Sequence, residues 1–352
     1  MKTLSELLGV DLPIIQAPMA GVQGSALAIA VSNAGALGSL PCAMLGADAM
    51  RKELTAIRAA TSKPFNVNFF CHTQPVPSAE RESAWRSVLA GYFAEFEIDP
   101  RTIAPGPGRV PFSAETAEFL AEFEPPVISF HFGLPAPELL ARVRSWGAKV
   151  LSSATTVEEA IWLEANGVDA VIAQGFEAGG HRGIFLTEDL NTQLGTFALL
   201  PQIVAAVKVP VIAAGGIASA EGVSAAMDLG AAGVQVGTTY LLCPEATTSA
   251  IHRAALKSDA ARVTAVTNVF TGRPARAIVN RAIRELGPMS SAAPEFPLAS
   301  TAIMPLRAKA ETGGSGDFSP MWAGQNATGC REVSAAVLTR ELARGLPNAP
   351  SL

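Results

Sequence analysis

Four histidines are the residues of this sequence best suited to proton transfer near neutral pH, because imidazole titrates there. They are His72, His131, His181 and His252. His181 ends the segment Gln174-Gly-Phe-Glu-Ala-Gly-Gly-His181, and its two consecutive glycines allow the backbone to bend sharply and present the imidazole to a pocket. His181 is therefore the leading candidate for a catalytic base. A structural histidine with satisfied hydrogen bonds is the alternative.

The other histidines have open or structural assignments. His131 lies at the end of a predicted strand and could line the pocket or hold a loop. His72 borders a predicted insertion and is compatible with either role, whereas His252 lies in a predicted helix and is expected to be structural. Asn68 and Gln174 also end strands, and their amides offer a donor and an acceptor to a planar heterocycle.

Two glycine-containing loops follow the last two predicted strands and suit a phosphate group. Glycines let backbone N–H groups approach an anion, a helix beginning near Ser219 adds its positive end, and a threonine adds a hydroxyl. Tight turns without a ligand are the alternative, and a phosphorylated substrate would fit as well as a phosphate-bearing cofactor. The residues concerned are Gly215, Gly216, Gln235, Val236, Gly237 and Thr238.

A recurring join between helix and strand indicates the fold. Helical segments end at Gly35, Gly147, Gly167 and Gly230, and an apolar strand follows each. Glycine suits the left-handed position after a helix, and a continuous apolar run suits a strand covered on both faces. Eight such strands favour a closed α/β (β/α)8 TIM barrel, with ligands at the C-terminal strand ends. An open doubly wound sheet is the alternative, but its early G-x-G-x-x-G turn is missing. The strands are predicted near 13–18, 36–40, 65–70, 127–132, 149–154, 169–174, 209–214 and 233–238.

Two regions interrupt this repeat. Residues 73–112 are rich in Pro and Gly and are predicted to form an insertion after strand 3, over one end of the barrel. Residues 1–257 are assigned to the barrel. Residues 258–352 are assigned to a smaller accessory segment that packs on the barrel and covers the active site. Its run Gly313-Gly-Ser-Gly316 is expected to be a loop or a mobile lid.

The composition restricts the partners. A net charge of -5 provides no positive surface for nucleic acid or an anionic membrane, so a small-molecule substrate is expected. The four cysteines show no C-x-x-C spacing, and no metal site is predicted. The first residues do not resemble a signal peptide and no long uncharged apolar run occurs, so a cytoplasmic location is expected. The sequence does not distinguish a monomer from a homodimer.

Five motifs occur in an order that resembles the nitronate monooxygenases, which are FMN-dependent (β/α)8 enzymes. They are Gln-Ala-Pro-Met-Ala-Gly, Asn-Val-Asn-Phe-Phe-Cys-His, Ser-Phe-His-Phe-Gly-Leu-Pro, Ala-Gln-Gly-Phe-Glu-Ala-Gly-Gly-His-Arg-Gly and Gln-Val-Gly-Thr. The resemblance implies that His181 is the catalytic base, that His131 is a second active-site histidine and that Trp322-Ala-Gly-Gln325 closes over the cofactor. It also implies an FMN site formed by Pro18, Met19, Ala20, Asn68, Gln174, Gly179, Gly180, Gly215, Gly216, Gln235, Val236, Gly237, Thr238 and Gln325.

The implied reaction is oxidation of an alkyl nitronate by FMN and O2 to a carbonyl compound and nitrite, without a reduced nicotinamide. His181 would remove the α-proton of a neutral nitroalkane before that oxidation. An NAD(P)H-dependent FMN reductase of quinones or enoyl thioesters is one alternative. A flavin-binding barrel without catalytic activity is another.

The substrate region departs from the family. Many relatives carry two tyrosines four residues apart and then a lysine four further on, whereas the same frame here contains Phe296, Ser300 and Met304. Without those phenols and that ammonium group, the pocket is expected to bind an anionic nitronate less well and an apolar or larger substrate better.

Overall fold

Eight parallel strands form the centre of the computed structural model, which describes residues 3–104 and 108–347. The strands are β1 (Ile14–Gln16), β2 (Gly38–Pro41), β3 (Phe65–Phe70), β4 (Val127–His131), β5 (Lys149–Ala154), β6 (Ala170–Gln174), β8 (Val211–Ala214) and β9 (Gly233–Val236). Their order around the sheet is β1-β9-β8-β6-β5-β4-β3-β2, and a parallel bridge between Ile15 and Leu37 joins the first strand to the second. The sheet thus closes into the predicted TIM barrel.

The strands alternate with helices, as the glycine-terminated pattern predicts. Gly35, Gly147, Gly167 and Gly230 all have φ between 86° and 94°, the left-handed region in which glycine is favoured. The helices are α1 (Leu4–Leu8), α2 (Ser25–Asn33), α3 (Ala47–Ala60), α4 (Ala79–Glu95), α5 (Ala114–Ala121), α6 (Pro137–Arg144), α7 (Val157–Ala165), α8 (Thr196–Ala206), α9 (Ala220–Asp228), α10 (Ala250–Leu256), α11 (Arg281–Leu286), α12 (Ser300–Thr312) and α13 (Ala335–Ala343).

A second, three-stranded antiparallel sheet lies at the C-terminal end of the barrel. It consists of β7 (Gly180–His181), β10 (Thr264–Thr267) and β11 (Ala275–Ile278), in the order β10-β11-β7. Ala275 pairs with His181 and Arg276 pairs with Gly180. The accessory segment is therefore hydrogen-bonded to the loop that follows β6.

The insertion 73–112 contains the 17-residue helix α4, which the abundance of Pro and Gly does not suggest. Its buried face, Trp85, Leu89 and Phe93, forms a second hydrophobic core with residues of the accessory segment. The Trp85 indole also donates to the Ala299 carbonyl at 3.1 Å. Insertion and accessory segment thus form one cap over the barrel.

The last helix returns to the barrel. The buried residues of α13 belong to the main core, and α13 packs against α2 and α9. The Tyr240 hydroxyl lies 2.9 Å from the hydroxyl of Thr339, which is on α13.

The glycine run at 313–316 is a turn after α12, where the Gly316 carbonyl accepts a hydrogen bond from the Asn280 amide at 2.8 Å. Among the described residues, no helix is long and apolar enough to cross a membrane.

Candidate active site

A cavity opens at the C-terminal ends of the barrel strands, where the fold places ligands. Most of the site residues that were predicted from the sequence line this cavity. Val236, Gln325, Phe296, Ser300 and Met304 are not among its lining residues. The nominated residues that line it are Pro18, Met19, Ala20, Asn68, His131, Gln174, Gly179, Gly180, His181, Gly215, Gly216, Gln235, Gly237 and Thr238.

His181 lies in the short strand β7, against the cavity. Its Nε2 lies 2.9 Å from the Thr271 hydroxyl, and that hydroxyl lies 3.4 Å from the Arg273 carbonyl. Because a carbonyl oxygen only accepts hydrogen bonds, the Thr271 hydroxyl donates to the Arg273 carbonyl. It therefore accepts a hydrogen bond from the Nε2–H group of His181. Nδ1 then carries the lone pair, and it has no hydrogen-bond partner among residues 3–104 and 108–347.

The imidazole of His181 is neutral at physiological pH. Burial lowers the pKa of His181 well below its usual value, and the positive charges of Arg109 and Arg273 contribute in the same direction, as do His131 and His72. A neutral imidazole has a lone pair available, so His181 meets the first requirement of a general base.

His131 has both ring nitrogens engaged. Nε2 lies 3.1 Å from the His181 carbonyl and must donate to it, while Nδ1 lies 3.0 Å from the Ser153 hydroxyl and accepts from it. Burial lowers the pKa of His131 to about 3, so this tautomer stays neutral. The amide of Gln174 donates to the same His181 carbonyl at 2.9 Å and accepts from Gly183 N–H at 2.7 Å. His131 and Gln174 thus hold the backbone of the His181 loop.

Two buried arginines fix that loop from behind. Arg182 donates to the carbonyls of Gln174 and Gly175, each at 2.7 Å, and to the Gln193 side chain at 3.0 Å. Arg276 donates twice to the Phe176 carbonyl, at 2.8 and 2.9 Å. These bonds satisfy carbonyls that a loop buried beneath the cap could not expose to water.

The glycine loops form a cradle on the opposite wall. Gly215 and Gly216 have φ of 117° and 73°, which side chains rarely adopt. The N–H groups of Gly216 and Gly237 donate to no other described residue. The Gln235 Oε1 is buried and unpartnered among the described residues. The cradle thus offers free donors for an anion beside a free acceptor.

The segment that follows Trp322 closes over this cradle. Gly324 N–H donates to the Thr238 hydroxyl and the Asn326 amide donates to the Gly216 carbonyl, both at 2.9 Å. Gln325 is exposed and bonds through its backbone to the Glu177 carbonyl at 2.9 Å. Gly324 and Asn326 line the cavity on either side of Gln325.

The three residues of the expected substrate frame lie in different environments. Phe296 is buried, and its ring centroid is 5.3 Å from that of His181 and 4.8 Å from that of His72. Ser300 begins α12 and donates to the Pro297 carbonyl at 2.7 Å. Met304 has 59% of its surface exposed. Only Phe296 of the three packs against the proposed base.

Several residues that contribute to the site were not predicted from the sequence. Arg109 lies in the insertion and is the only Lys, Arg, Asp or Glu among the described lining residues. Thr271 orients His181, and Asn326 lines the cradle one residue beyond the nominated Gln325. His252, expected to be structural, also lines the cavity. The motif Trp322-Ala-Gly-Gln325 ends one residue before Asn326 and was a signal for it. Arg109 and Thr271 follow no predicted strand end, so no local pattern identifies them.

Fold and site together define a (β/α)8-barrel enzyme. A sequence model of the nitronate monooxygenase family matches residues 1–345. The chain is 42% identical over 351 residues to a nitronate monooxygenase of Pseudomonas aeruginosa, covering 97% of this chain and 98% of that protein. It is 43% identical over 355 residues to a nitronate monooxygenase of Paraburkholderia phytofirmans, covering 98% and 95%.

Solved structures agree with this relationship. A nitroalkane oxidase from Streptomyces ansochromogenes superposes with a TM-score of 0.89 at 40% identity and covers 99% of both chains. FabK from Thermotoga maritima superposes with a TM-score of 0.73 at 26% identity, covering 98% of this chain and 96% of that one. The chain belongs to the nitronate monooxygenase family, an oxidoreductase family, and the resemblance recognised in the sequence is confirmed.

Proposed function

We propose that this protein oxidises small alkyl nitronates with FMN and O2, giving a carbonyl compound and nitrite, and that it also accepts the parent nitroalkanes. The observation that carries the proposal is the neutral, oriented imidazole of His181 in the cavity that also contains the glycine cradle. Family membership supports the same reaction.

The residues of the cavity fit FMN. The free N–H groups of Gly216 and Gly237 suit a phosphate, and Thr238 lines the same part of the cavity. The N-terminal residues of α9, Ser219 and Ala220, are not among the described lining residues. The unpartnered Gln235 Oε1 is an acceptor for a donor group of the cofactor. Gly179 and Gly180 would border the ribityl chain, Asn68 and Gln174 would face the ring, and Pro18, Met19 and Ala20 would lie against it. Val236 and Gln325 would support this site through their backbone.

When bound, FMN supplies the electron transfer between the nitronate and O2. The protein's own contribution is proton transfer and positioning. For a neutral nitroalkane, His181 Nδ1 takes the α-proton. The Thr271 hydroxyl accepts a hydrogen bond from the Nε2–H group of His181 and so fixes the tautomer. His131 and Gln174 hold the backbone carbonyl of His181 and are positioning residues. Trp322, whose ring centroid is 5.3 Å from that of His181, shields the site from water.

In this proposal residues 258–352 form the accessory segment that closes the barrel site of residues 1–257, and α13 at its end fastens the segment to the barrel. Within the frame, Phe296 would shape the site through its packing against His181 and His72, while Ser300 and Met304 would act through the position of α12. The partners are the small nitronate and O2.

The decisive test uses the purified holoprotein with a panel of nitronates and their parent nitroalkanes. We expect O2 uptake and stoichiometric nitrite release, faster with nitronates because they need no deprotonation. A parallel anaerobic experiment mixes the protein with NADH or NADPH. Rapid reduction of the flavin by a nicotinamide, together with no O2 uptake on nitronates, would contradict the proposal and favour a reductase.

A further inference from the structure

Arg109 is a charged residue of the cavity wall, and no described residue of that wall neutralises its charge. No other Lys, Arg, Asp or Glu is among the described lining residues. The Cζ atom of Arg109 lies 5.2 Å from the centroid of the Phe296 ring. Its guanidinium forms no hydrogen bond or ion pair with a described residue. The Arg109 side chain is half-buried, and a cation that loses part of its water without gaining a partner is costly unless a ligand completes its environment.

The other arginines near the site differ from Arg109 in this respect. Arg182 and Arg276 each spend their donors on loop carbonyls. Arg273 donates to the Ile184 carbonyl, and its Cζ lies 4.0 Å from the centroid of the Phe132 ring. These three have structural partners, whereas the N–H donors of Arg109 remain available.

The backbone of Arg109 is held in place. Its carbonyl accepts from His72 Nε2 at 2.9 Å and from the Gln74 amide at 2.7 Å. The His72 ring in turn packs edge-on against Phe296, with centroids 4.8 Å apart. The guanidinium therefore extends from an anchored segment and rests on a buried ring, which limits its freedom before a ligand binds.

The position of Arg109 separates it from the cradle assigned to the cofactor phosphate. Arg109 precedes β4 in the insertion after β3, whereas the cradle follows β8 and β9. In the closed order β1-β9-β8-β6-β5-β4-β3-β2, these two pairs of strands lie across the barrel from one another. Arg109 instead shares a neighbour with His181, because the Arg109 Cζ atom lies 5.2 Å and the His181 ring centroid 5.3 Å from the centroid of the Phe296 ring.

We propose that Arg109 binds the two oxygens of the substrate's nitro group, so that the site selects small anionic nitronates rather than neutral apolar compounds. This inference rests on the proposed function. It reverses the expectation drawn from Phe296, Ser300 and Met304, because the cation missing from that frame is supplied by the insertion. A guanidinium matches two oxygens on one nitrogen through parallel N–H donors.

The same placement assists deprotonation of a nitroalkane. The α-carbon–hydrogen bond breaks, the proton moves to His181 Nδ1, and the electron pair moves into the nitro group. Negative charge then develops on the two oxygens that face Arg109, where a preorganised cation stabilises it. Base and cation thus act on opposite ends of the same small group.

The test compares Arg109→Gln and Arg109→Lys with the wild-type holoprotein. Arg101→Gln is the matched control, because Arg101 lies in the same insertion and is exposed, paired only with Asp99. Nitrate, a planar anion that is not turned over, is titrated by calorimetry, and KM and kcat for a nitronate are measured beside it. We expect Arg109→Gln to weaken nitrate binding and raise KM by roughly 10-fold to 100-fold, the usual effect of a lost charged hydrogen bond.

The controls separate this inference from the proposed function. Arg109→Lys should lie between wild type and Arg109→Gln, and all variants should retain FMN. Wild-type protein that binds nitrate but oxidises no nitronate would refute the proposed function and leave the anion site intact. Nitrate affinity and KM within twofold of wild type in Arg109→Gln, or no nitrate binding to wild type, would overturn the assignment. So would an Arg109→Lys variant no better than Arg109→Gln.

Discussion

The hydrogen bond between Thr271 and His181 gives the most discriminating prediction for the mechanism. Thr271 is buried, and its hydroxyl is the partner of His181 Nε2 at 2.9 Å. Thr271→Val keeps the shape of the side chain and removes the acceptor. The Nε2 proton then has no partner in a dry site, so the imidazole either rotates or moves its proton to Nδ1 and loses the lone pair that takes the α-proton.

The size of the effect follows from the bond that is lost. Leaving a buried donor unsatisfied costs about 1–3 kcal/mol, and about 1.4 kcal/mol changes a rate tenfold. We therefore expect kcat/KM for neutral nitroalkanes to fall roughly 5-fold to 100-fold. Oxidation of a preformed nitronate needs no proton removal and should change less than about threefold on the same reasoning.

Nitrite release measured with a nitroalkane and with its own nitronate provides the assay. Thr271→Ser restores the hydroxyl and should recover most of the nitroalkane activity. Since the neutral imidazole is the active form, wild-type kcat/KM on nitroalkanes should decline only as pH falls through the lowered pKa of His181. Equal losses on both substrates in Thr271→Val, or no recovery with serine, would refute tautomer control by Thr271.

Three further predictions address the base, the cradle and the acid stability. His181→Asn should retain FMN and lose most nitroalkane activity, and unchanged rates would remove His181 from the role of base. Gly237→Leu should yield colourless protein, because its Cβ would already lie 3.2 Å from the Ala17 Cβ and 3.6 Å from the Met19 Sδ; normal flavin absorbance would contradict the phosphate assignment. Burial lowers the pKa of His252 to about 4, so the unfolded chain binds one more proton between about pH 6.5 and 4. The stability due to neutral His252 is present above pH 6.5 and is lost as pH falls, at up to about 1.4 kcal/mol per pH unit; His252→Gln should flatten the decline in denaturant stability over this range, and an unchanged slope would contradict it.

The barrel was predictable because its signals are local. Gly35, Gly147, Gly167 and Gly230 each end a helix in the left-handed region immediately before a buried strand. All eight predicted strands are confirmed, with ends that differ by up to two residues. Residues at strand ends converge in a closed barrel whatever their separation in sequence, so strand prediction alone brought His131, Gln174 and the cradle together.

Helix α4 shows where composition misled. Proline and glycine at both ends of the insertion indicate loops, and they obscured the helix between them. Its buried residues Trp85, Leu89 and Phe93 are spaced four apart, which is a helical signal that was present in the sequence. That face is apolar because it packs on the accessory segment, and nothing in the insertion itself identifies this partner.

The chemistry of the site depends on contacts that no local pattern encodes. Thr271 reaches His181 across 90 positions, and Arg276 reaches the Phe176 carbonyl across 100. Both contacts follow from one event, the pairing of β11 with β7, which joins the accessory segment to the loop that carries the base. Arg109 likewise reaches the site because the insertion folds over the barrel as part of the cap, and it does not follow the end of a barrel strand. If the proposed roles hold, the barrel supplies the cofactor cradle and the position of His181, whereas Thr271 and Arg109 of the cap set the tautomer of His181 and the charge of the substrate. Substitutions of Arg109 or Thr271 in the cap should therefore change substrate selection before they change flavin binding.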